Sequence, residues 1–158
     1  MLSLGACVVG NPEQTFYAEF KPVPRSGVPA ALEVTGISLE EAEIRGEEPK
    51  SIMERFAAWV KEVAVDAKPV MVGFNASFDW AFINYYFHHY VGTNPLGHGA
   101  IDMKAYYMGF SGCCWDMTRS SQLPSEFQPS SRATHHALED AIAQGSIFEK
   151  LVKANTSK

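Results

Sequence analysis

The chain has 158 residues, of which 46% are hydrophobic and 20% are charged, a composition typical of a folded globular protein rather than a disordered one. Its net charge of −5 gives no overall basic field for coating a long nucleic acid, but an enzyme acting on chain ends could draw positive charge from bound metal ions. No apolar run reaches the roughly 18 residues of a membrane-spanning helix, and three cysteines, an odd number, favour a reducing cytoplasm over a disulfide framework.

The first half of the chain predicts two strands followed by helices. Residues 2–9 are apolar and 15–20 alternate, and Gly10-Asn11-Pro12 between them indicates a hairpin turn. Residues 29–34 predict a short helix, and Ser38 suits the N-cap of another because acidic residues follow it. The next segment predicts an amphipathic helix from five apolar residues at helical spacing: Ile52, Phe56, Trp59, Val60 and Val63.

The second half alternates strands and helices. In chain order it predicts a buried strand at 70–74, an aromatic-rich helix at 77–90, a brief strand at 100–102 and a helix at 103–108. A loop follows at 109–131. A last helix is capped by Thr134 or His135 and ends near Lys153. The core candidates of the last helix are Leu138, Ile142, Phe148 and Leu151. No repeat or linker divides the chain, so we expect one mixed α/β domain over residues 1–158.

Asp79 follows a predicted buried strand and falls in the first turn of a helix. Open backbone N–H groups at a helix start favour a carboxylate there, so an ordinary helix-start aspartate is one interpretation. The other is a ligand site, because binding crevices in open α/β sheets form where strands run into helices. Asn75 could be an ordinary turn residue, and Phe78 and Phe82 could be core residues of one helical face.

Asp140 lies near the start of the last helix on a largely apolar face, where a carboxylate is costly unless it is paired or bound to metal. His135, five residues earlier, could be a surface or capping residue, or a base with a pKa near neutrality. Hard cations prefer carboxylate oxygens, and phosphodiester cleavage commonly uses two such ions. Two helix-start aspartates and a loop histidine therefore form parts of a coherent hydrolytic site.

The spacing Asn-x-x-Phe-Asp-x-x-Phe at 75–82 and His-x-x-x-x-Asp at 135–140 resembles motifs two and three of the DEDDh-type 3′–5′ exonucleases. That superfamily includes RNase T, oligoribonuclease and polymerase proofreading subunits, and the similarity covers almost the whole chain. It implies a ribonuclease H-like α/β fold, with a mixed β-sheet flanked by helices, and a metal-dependent hydrolase of the 3′ ends of single-stranded nucleic acid. By similarity to the small stand-alone members, RNA is slightly favoured over DNA and a homodimer is expected.

The resemblance also implies roles for individual residues. Asp79 and Asp140 would ligate Mg²⁺ or Mn²⁺, and His135 would be the general base, whereas His136 lacks the five-residue offset. Asn75, Phe78 and Phe82 would support the substrate strand, and Asp102 resembles a family aspartate that could act behind the metal ligands. Several aromatic residues are possible stacking platforms for bases, although each could equally be core: Phe74, Phe78, Trp80, Phe110 and Trp115.

One family motif has no counterpart in the printed sequence. The family's first strand carries Asp-x-Glu, which puts two carboxylates on one strand face, but residues 2–9 resemble the second strand instead. Glu13 and Glu19 are not obvious substitutes. We therefore expect either a start upstream of Met1, which is favoured, or a protein that lacks this strand, and weak or absent turnover by the chain as printed.

Two alternatives to an active exonuclease stay open. One is a non-catalytic module, derived from the same fold, that binds nucleic-acid ends or another protein. The other is a structural homodimer whose partner chain fills the gap left by the absent strand, because an uncovered sheet edge tends to pair with another chain.

Overall fold

The computed structural model describes residues 1–23, 29–129 and 135–156, with only the backbone at residues 31, 34 and 35. Four strands and six α-helices lie in these residues. In chain order they are β1 (Ser3–Val8), β2 (Asn11–Glu19), α1 (Pro29–Thr35), α2 (Leu39–Arg45), α3 (Pro49–Ala64), β3 (Met71–Gly73), α4 (Ala76–Tyr90), β4 (Ala100–Asp102), α5 (Met103–Ser111) and α6 (Ala137–Thr156). Two short 3₁₀ turns, Trp115–Thr118 and Ser120–Gln122, interrupt the region predicted as loop.

The strands β1 and β2 form an antiparallel hairpin with a tighter turn than the sequence predicted. Val8 pairs with Asn11, so the loop consists of Val9 and Gly10 alone. Gly10 has a φ of 81°, a conformation that a two-residue hairpin loop requires and that glycine adopts without a steric penalty. The prediction that the turn includes Asn11 and Pro12 was therefore wrong, because both residues already belong to β2.

A capping residue fixes the start of α2 as predicted, and a proline marks the start of α3. The Ser38 hydroxyl accepts the Glu41 N–H at 3.0 Å, and the Glu41 carboxylate accepts the Ser38 N–H at 3.4 Å, which completes a capping box. Pro49 begins α3, where its missing N–H is not needed. Of the five apolar residues that predicted α3, Ile52, Phe56 and Val60 are buried and the other two are half-buried.

The strands β3 and β4 are parallel, with Met71 opposite Ala100 and Gly73 opposite Asp102. Both therefore end at the same edge, where α4 and α5 begin. The described residues contain both an antiparallel and a parallel strand pair, as expected of a mixed β-sheet. The two pairs form two separate two-stranded sheets rather than one continuous sheet. Val70 lies outside β3 and is 49% exposed, so the predicted buried strand is shorter than 70–74.

Among the described residues, most of the buried hydrophobic side chains form two clusters. The first joins the hairpin to α3 and α4: Leu4, Ala18, Phe20, Ile52, Met53, Phe56, Ala57, Val60, Ile83, Tyr86, Phe87 and Leu96. The second joins α5, the region after it and α6: Met103, Tyr107, Leu123, Phe127, Ile147, Phe148 and Leu151.

In the part of the chain that the structure describes, no helix is both long enough and apolar enough to cross a bilayer.

Helix α6 begins later and ends later than predicted. The first bond of the helix runs from the Asp140 N–H to the His136 carbonyl at 2.9 Å, so His136 rather than His135 occupies the capping position. Thr134, the other predicted cap, lies outside the described residues. Of the predicted core residues, Phe148 and Leu151 are buried, whereas Leu138 and Ile142 are half-buried.

Candidate active site

Asp79 lies in the first turn of α4, just after the turn that leaves β3. In that turn Asn75 has a left-handed backbone, φ 65° and ψ 44°, which asparagine tolerates better than most residues, and its side chain makes no capping bond. Asp79 is exposed as a whole residue, yet loss of water around its carboxylate raises its pKa, and a backbone N–H opposes this only in part. A nearby positive charge would therefore stabilise its ionised form.

Asp102 holds together the two helices that begin at this edge. Its Oδ1 accepts the N–H groups of Lys104 at 2.9 Å and Ala105 at 3.0 Å, so it is the N-cap of α5. Its Oδ2 accepts the N–H of Ala76, the first residue of α4, at 2.6 Å. That N–H has no partner within its own helix, and Ala76 is only 1% exposed, so the bond also replaces lost water. Asp102 thus fixes the helix turn that carries Asp79.

The residues of the second motif lie at the start of α6, above the β1–β2 hairpin. The His136 ring stacks on Tyr17 of β2, with 4.6 Å between ring centroids. The Cys7 thiol of β1 donates to the carbonyl of Ala141 at 3.4 Å. His135 is exposed and has a φ of 62°, and Asp140 is half-buried. Both adjacent histidines are thus exposed, and His136 in addition stacks on Tyr17 of the hairpin.

Gln144 connects the two segments that carry the motifs, although no sequence pattern marks it. Its side-chain oxygen accepts the N–H of Phe74, directly before the α4 turn, at 2.9 Å. Asp140 precedes Gln144 by four residues, so both lie on one face of α6, one turn apart. Asp79 is likewise one turn into α4. Asp140 lies one helical turn before Gln144 and Asp79 follows Phe74 by five residues, so this bond joins the segments that carry the two aspartates.

Phe78 and Phe82 are not core residues. Their side chains are 63% and 42% exposed, and their rings meet edge to face with 5.2 Å between centroids. Phe82 lies three residues after Asp79 and so shares its side of α4. The structure thus excludes the core interpretation of Phe78 and Phe82, which form a solvent-facing pair beside Asp79, and their contact with a substrate strand stays a prediction.

The acidic residues do not make a complete metal site by themselves. Within the described ranges, no group of three or more His, Cys, Asp or Glu side chains lies close enough together to hold one ion. Asp79 and Asp140 offer the oxygen ligands that Mg²⁺ and Mn²⁺ prefer, but two carboxylates fall short of the usual coordination of either ion. The described side chains thus fit only part of such a site.

Comparison with known proteins assigns the family. A family model for RNase T, described as "Exonuclease", matches residues 4–148. The chain belongs to this exonuclease family. A relative from Escherichia coli, named "3′-5′ DNA exonuclease Cap18", is 45% identical over 159 residues, which span 100% of this chain and 85% of the relative.

A solved structure described as "crystal structure of full-length 3′-exonuclease" supports the fold assignment. It superposes with a TM-score of 0.71 over 97% of this chain and 81% of its own length, at 13% identity. At that identity the likeness concerns the fold alone. The predicted ribonuclease H-like α/β exonuclease fold and the predicted enzyme class, a hydrolase of the exonuclease type, are confirmed.

Proposed function

We propose that this member of the exonuclease family removes nucleotides from the 3′ end of single-stranded DNA. The observation that carries the proposal is the bond between Phe74 and Gln144, because it joins the turn that leads to Asp79 to the helix that carries Asp140. The printed name of the relative that is 45% identical over the full chain supports the 3′–5′ direction and DNA as the substrate. The preference for RNA expected from the sequence stays a prediction, which parallel assays on RNA of the same sequence would test.

We assign the roles of individual residues on their chemistry and exposure. His135 faces solvent at the start of α6, so a water could reach its imidazole, and the neutral ring would take the proton of the attacking water. Phe78 and Phe82 would stack on the bases next to the cleaved bond, and the exposed Asn75 amide would hydrogen-bond to the same strand. Asp79 and Asp140 would supply carboxylate ligands.

We propose Mg²⁺ or Mn²⁺ as the cofactor, on the chemistry of the two carboxylates. Such an ion would supply positive charge at the phosphate, and the raised pKa of Asp79 indicates a carboxylate that gains from a cation. Because the described residues provide only part of the ligand set, further ligands such as an Asp-x-Glu strand would have to complete it. The weak turnover expected for this chain stays a prediction.

The test uses a 5′-labelled single-stranded DNA whose shortening from the 3′ end is followed on a gel with Mg²⁺, with Mn²⁺ and with EDTA. The printed chain is compared with a version preceded by a strand carrying Asp-x-Glu, and we expect the extended version to be faster. In whichever version is active, D79N and D140N should abolish release, and H135A should slow it by about 10²–10⁴-fold. D66N, which changes the exposed Asp66 after α3, is the matched control and should be as fast as its parent.

No nucleotide release from either version would refute the catalytic proposal. Retained 3′-end binding in that case would support the alternative of a non-catalytic end-binding module, which the incomplete ligand set among the described residues favours. Release that survives D79N or D140N would refute the assigned site while leaving the family assignment intact.

The expected homodimer, the single domain over residues 1–158 and the cytoplasmic location stay predictions. Sedimentation at micromolar concentration would test the first, since a monomer at that concentration would exclude a stable dimer. Cleavage by limited proteolysis into two folded halves would contradict the second. Fractionation of producing cells would test the third.

A further inference from the structure

An exposed aromatic ring and a lysine form a pair beside the start of α5. The Lys104 ammonium lies over the Trp115 ring, 4.0 Å from its centroid. Trp115 begins a short 3₁₀ turn and is 48% exposed. It is not part of either hydrophobic cluster, and Thr118, not Trp115, is the buried residue of that turn. Burial in the core thus does not account for a tryptophan at this position.

The pair lies next to the candidate active site because of Asp102. One oxygen of that carboxylate accepts the Lys104 N–H, and the other accepts the Ala76 N–H at the start of α4. The backbones of Lys104 and Ala76 are therefore neighbours on two sides of a single carboxylate. Asp79 follows within the first turn of the helix that Ala76 begins. Lys104, which carries the contact with Trp115, thus lies beside the start of the helix that carries Asp79.

The chemistry of the pair matches a single-stranded nucleic acid. Proteins bind such strands without sequence readout by stacking bases on aromatic faces and contacting phosphates with cations. A cation held over one face of an indole ring leaves the opposite face for a stacked base and lies close enough to contact the neighbouring phosphate. Because the whole chain has a net charge of −5, attraction of a phosphate has to come from local cations such as Lys104.

We propose that Lys104 and Trp115 form a binding site for one nucleotide of the substrate strand, upstream of the nucleotide being removed. Trp115 stacks on the base and Lys104 contacts the adjoining phosphate. The proposal rests on the proposed function for the nature of the strand. It assigns a second contact to that strand, separate from Phe78 and Phe82 on α4.

The test measures DNA binding and hydrolysis separately. Binding of a labelled single-stranded DNA is followed by fluorescence anisotropy in EDTA, where no turnover occurs. We expect W115A to raise the Kd about 5- to 150-fold, the range for loss of one stacked base, and W115F to raise it less. We expect K104M to raise the Kd and to lower the slope of log K against log salt by about 0.7, the value for one phosphate on a single strand.

Two variants serve as matched controls. M117A removes an apolar side chain that is 47% exposed in the same 3₁₀ turn, and K61M removes an exposed lysine from α3. Both should bind DNA as the wild type does. Thermal melting of each variant checks the fold, and W115F keeps a ring in place should W115A unfold.

Hydrolysis of two substrates separates this site from the active site. W115A should slow cleavage of a DNA oligonucleotide at low concentration but leave cleavage of a nitrophenyl ester of a mononucleotide unchanged, since the ester has no upstream nucleotide. Unchanged DNA affinity in both W115A and K104M would overturn the proposal, as would an equal loss on both substrates. If neither the wild type nor the version extended by an Asp-x-Glu strand cleaves either substrate, the proposed function is refuted, and the anisotropy result still decides whether the pair binds DNA.

Discussion

The asparagine substitution of Asp102 tests the bridge that joins β4, α5 and the start of α4. In the native protein the two carboxylate oxygens accept three backbone N–H groups, from Ala76, Lys104 and Ala105. Asparagine offers a single acceptor oxygen and remains a good helix N-cap. In D102N that oxygen can still cap α5, but the amide NH₂ then meets the Ala76 N–H, donor against donor.

The expected loss follows from the burial of Ala76, which is only 1% exposed. A buried backbone N–H without an acceptor costs about 1–3 kcal/mol, so we expect D102N to lower the free energy of unfolding by about that amount. For a domain of this size each kcal/mol corresponds to about 2–4 °C, so the Tm should fall by roughly 2–12 °C. D102A also removes the cap of α5 and should cost about 0.5–2 kcal/mol more.

The assay is urea and thermal unfolding followed by circular dichroism, with D66N as the control for removal of an exposed aspartate charge. Where the parent is active, D102N should also lower kcat, because the turn that carries Asp79 loses its anchor. Equal stability of D102N and wild type would refute the bridge. If D102N and D102A lose the same amount of stability, the assignment of one carboxylate oxygen to the start of α4 and the other to the cap of α5 is refuted.

Three further substitutions test the packing, the candidate site and the helix caps. Gly5→Ala should destabilise the protein by about 1–3 kcal/mol in urea unfolding, because a β-carbon on Gly5 would overlap the backbone of Ala137. D79N should become more stable than the wild type as the pH rises. The native Asp79 carboxyl has a raised pKa and keeps its proton to higher pH than the unfolded chain, so its ionisation costs stability above the unfolded-state pKa of about 3.9. Ser38→Ala removes the hydroxyl that accepts the Glu41 N–H and should cost about 0.5–2 kcal/mol.

Matched variants decide whether these effects are local. G109A places a methyl group in open space within α5 and should not destabilise the protein, whereas a G5A protein as stable as G109A would contradict the close approach of α6 to β1. Stability curves of D79N and wild type that stay parallel from pH 3 to pH 7 would contradict the pKa shift of Asp79. S51A within α3 should be neutral, and an equal loss in S51A and S38A would remove the role of the cap.

Several features could be predicted from the sequence because they depend on residues close together in the chain. The spacing of Ile52, Phe56 and Val60 fixed one face of α3, and Ser38 with Glu41 marked the start of α2 within four residues. The spaced motifs around Asp79 and Asp140 likewise predicted the exonuclease family, since each motif is a short segment whose residues share a helix start.

Tertiary structure alone decided how these segments meet. Asp102 bonds to Ala76 across 26 residues and Phe74 to Gln144 across 70, and no local pattern marks either pair. The sequence also left open whether Phe78 and Phe82 are core, because helical spacing is the same for an aromatic that faces the core and one that faces solvent. Local propensity determines where a helix begins, but which side chain reaches which backbone group depends on the packing of distant segments.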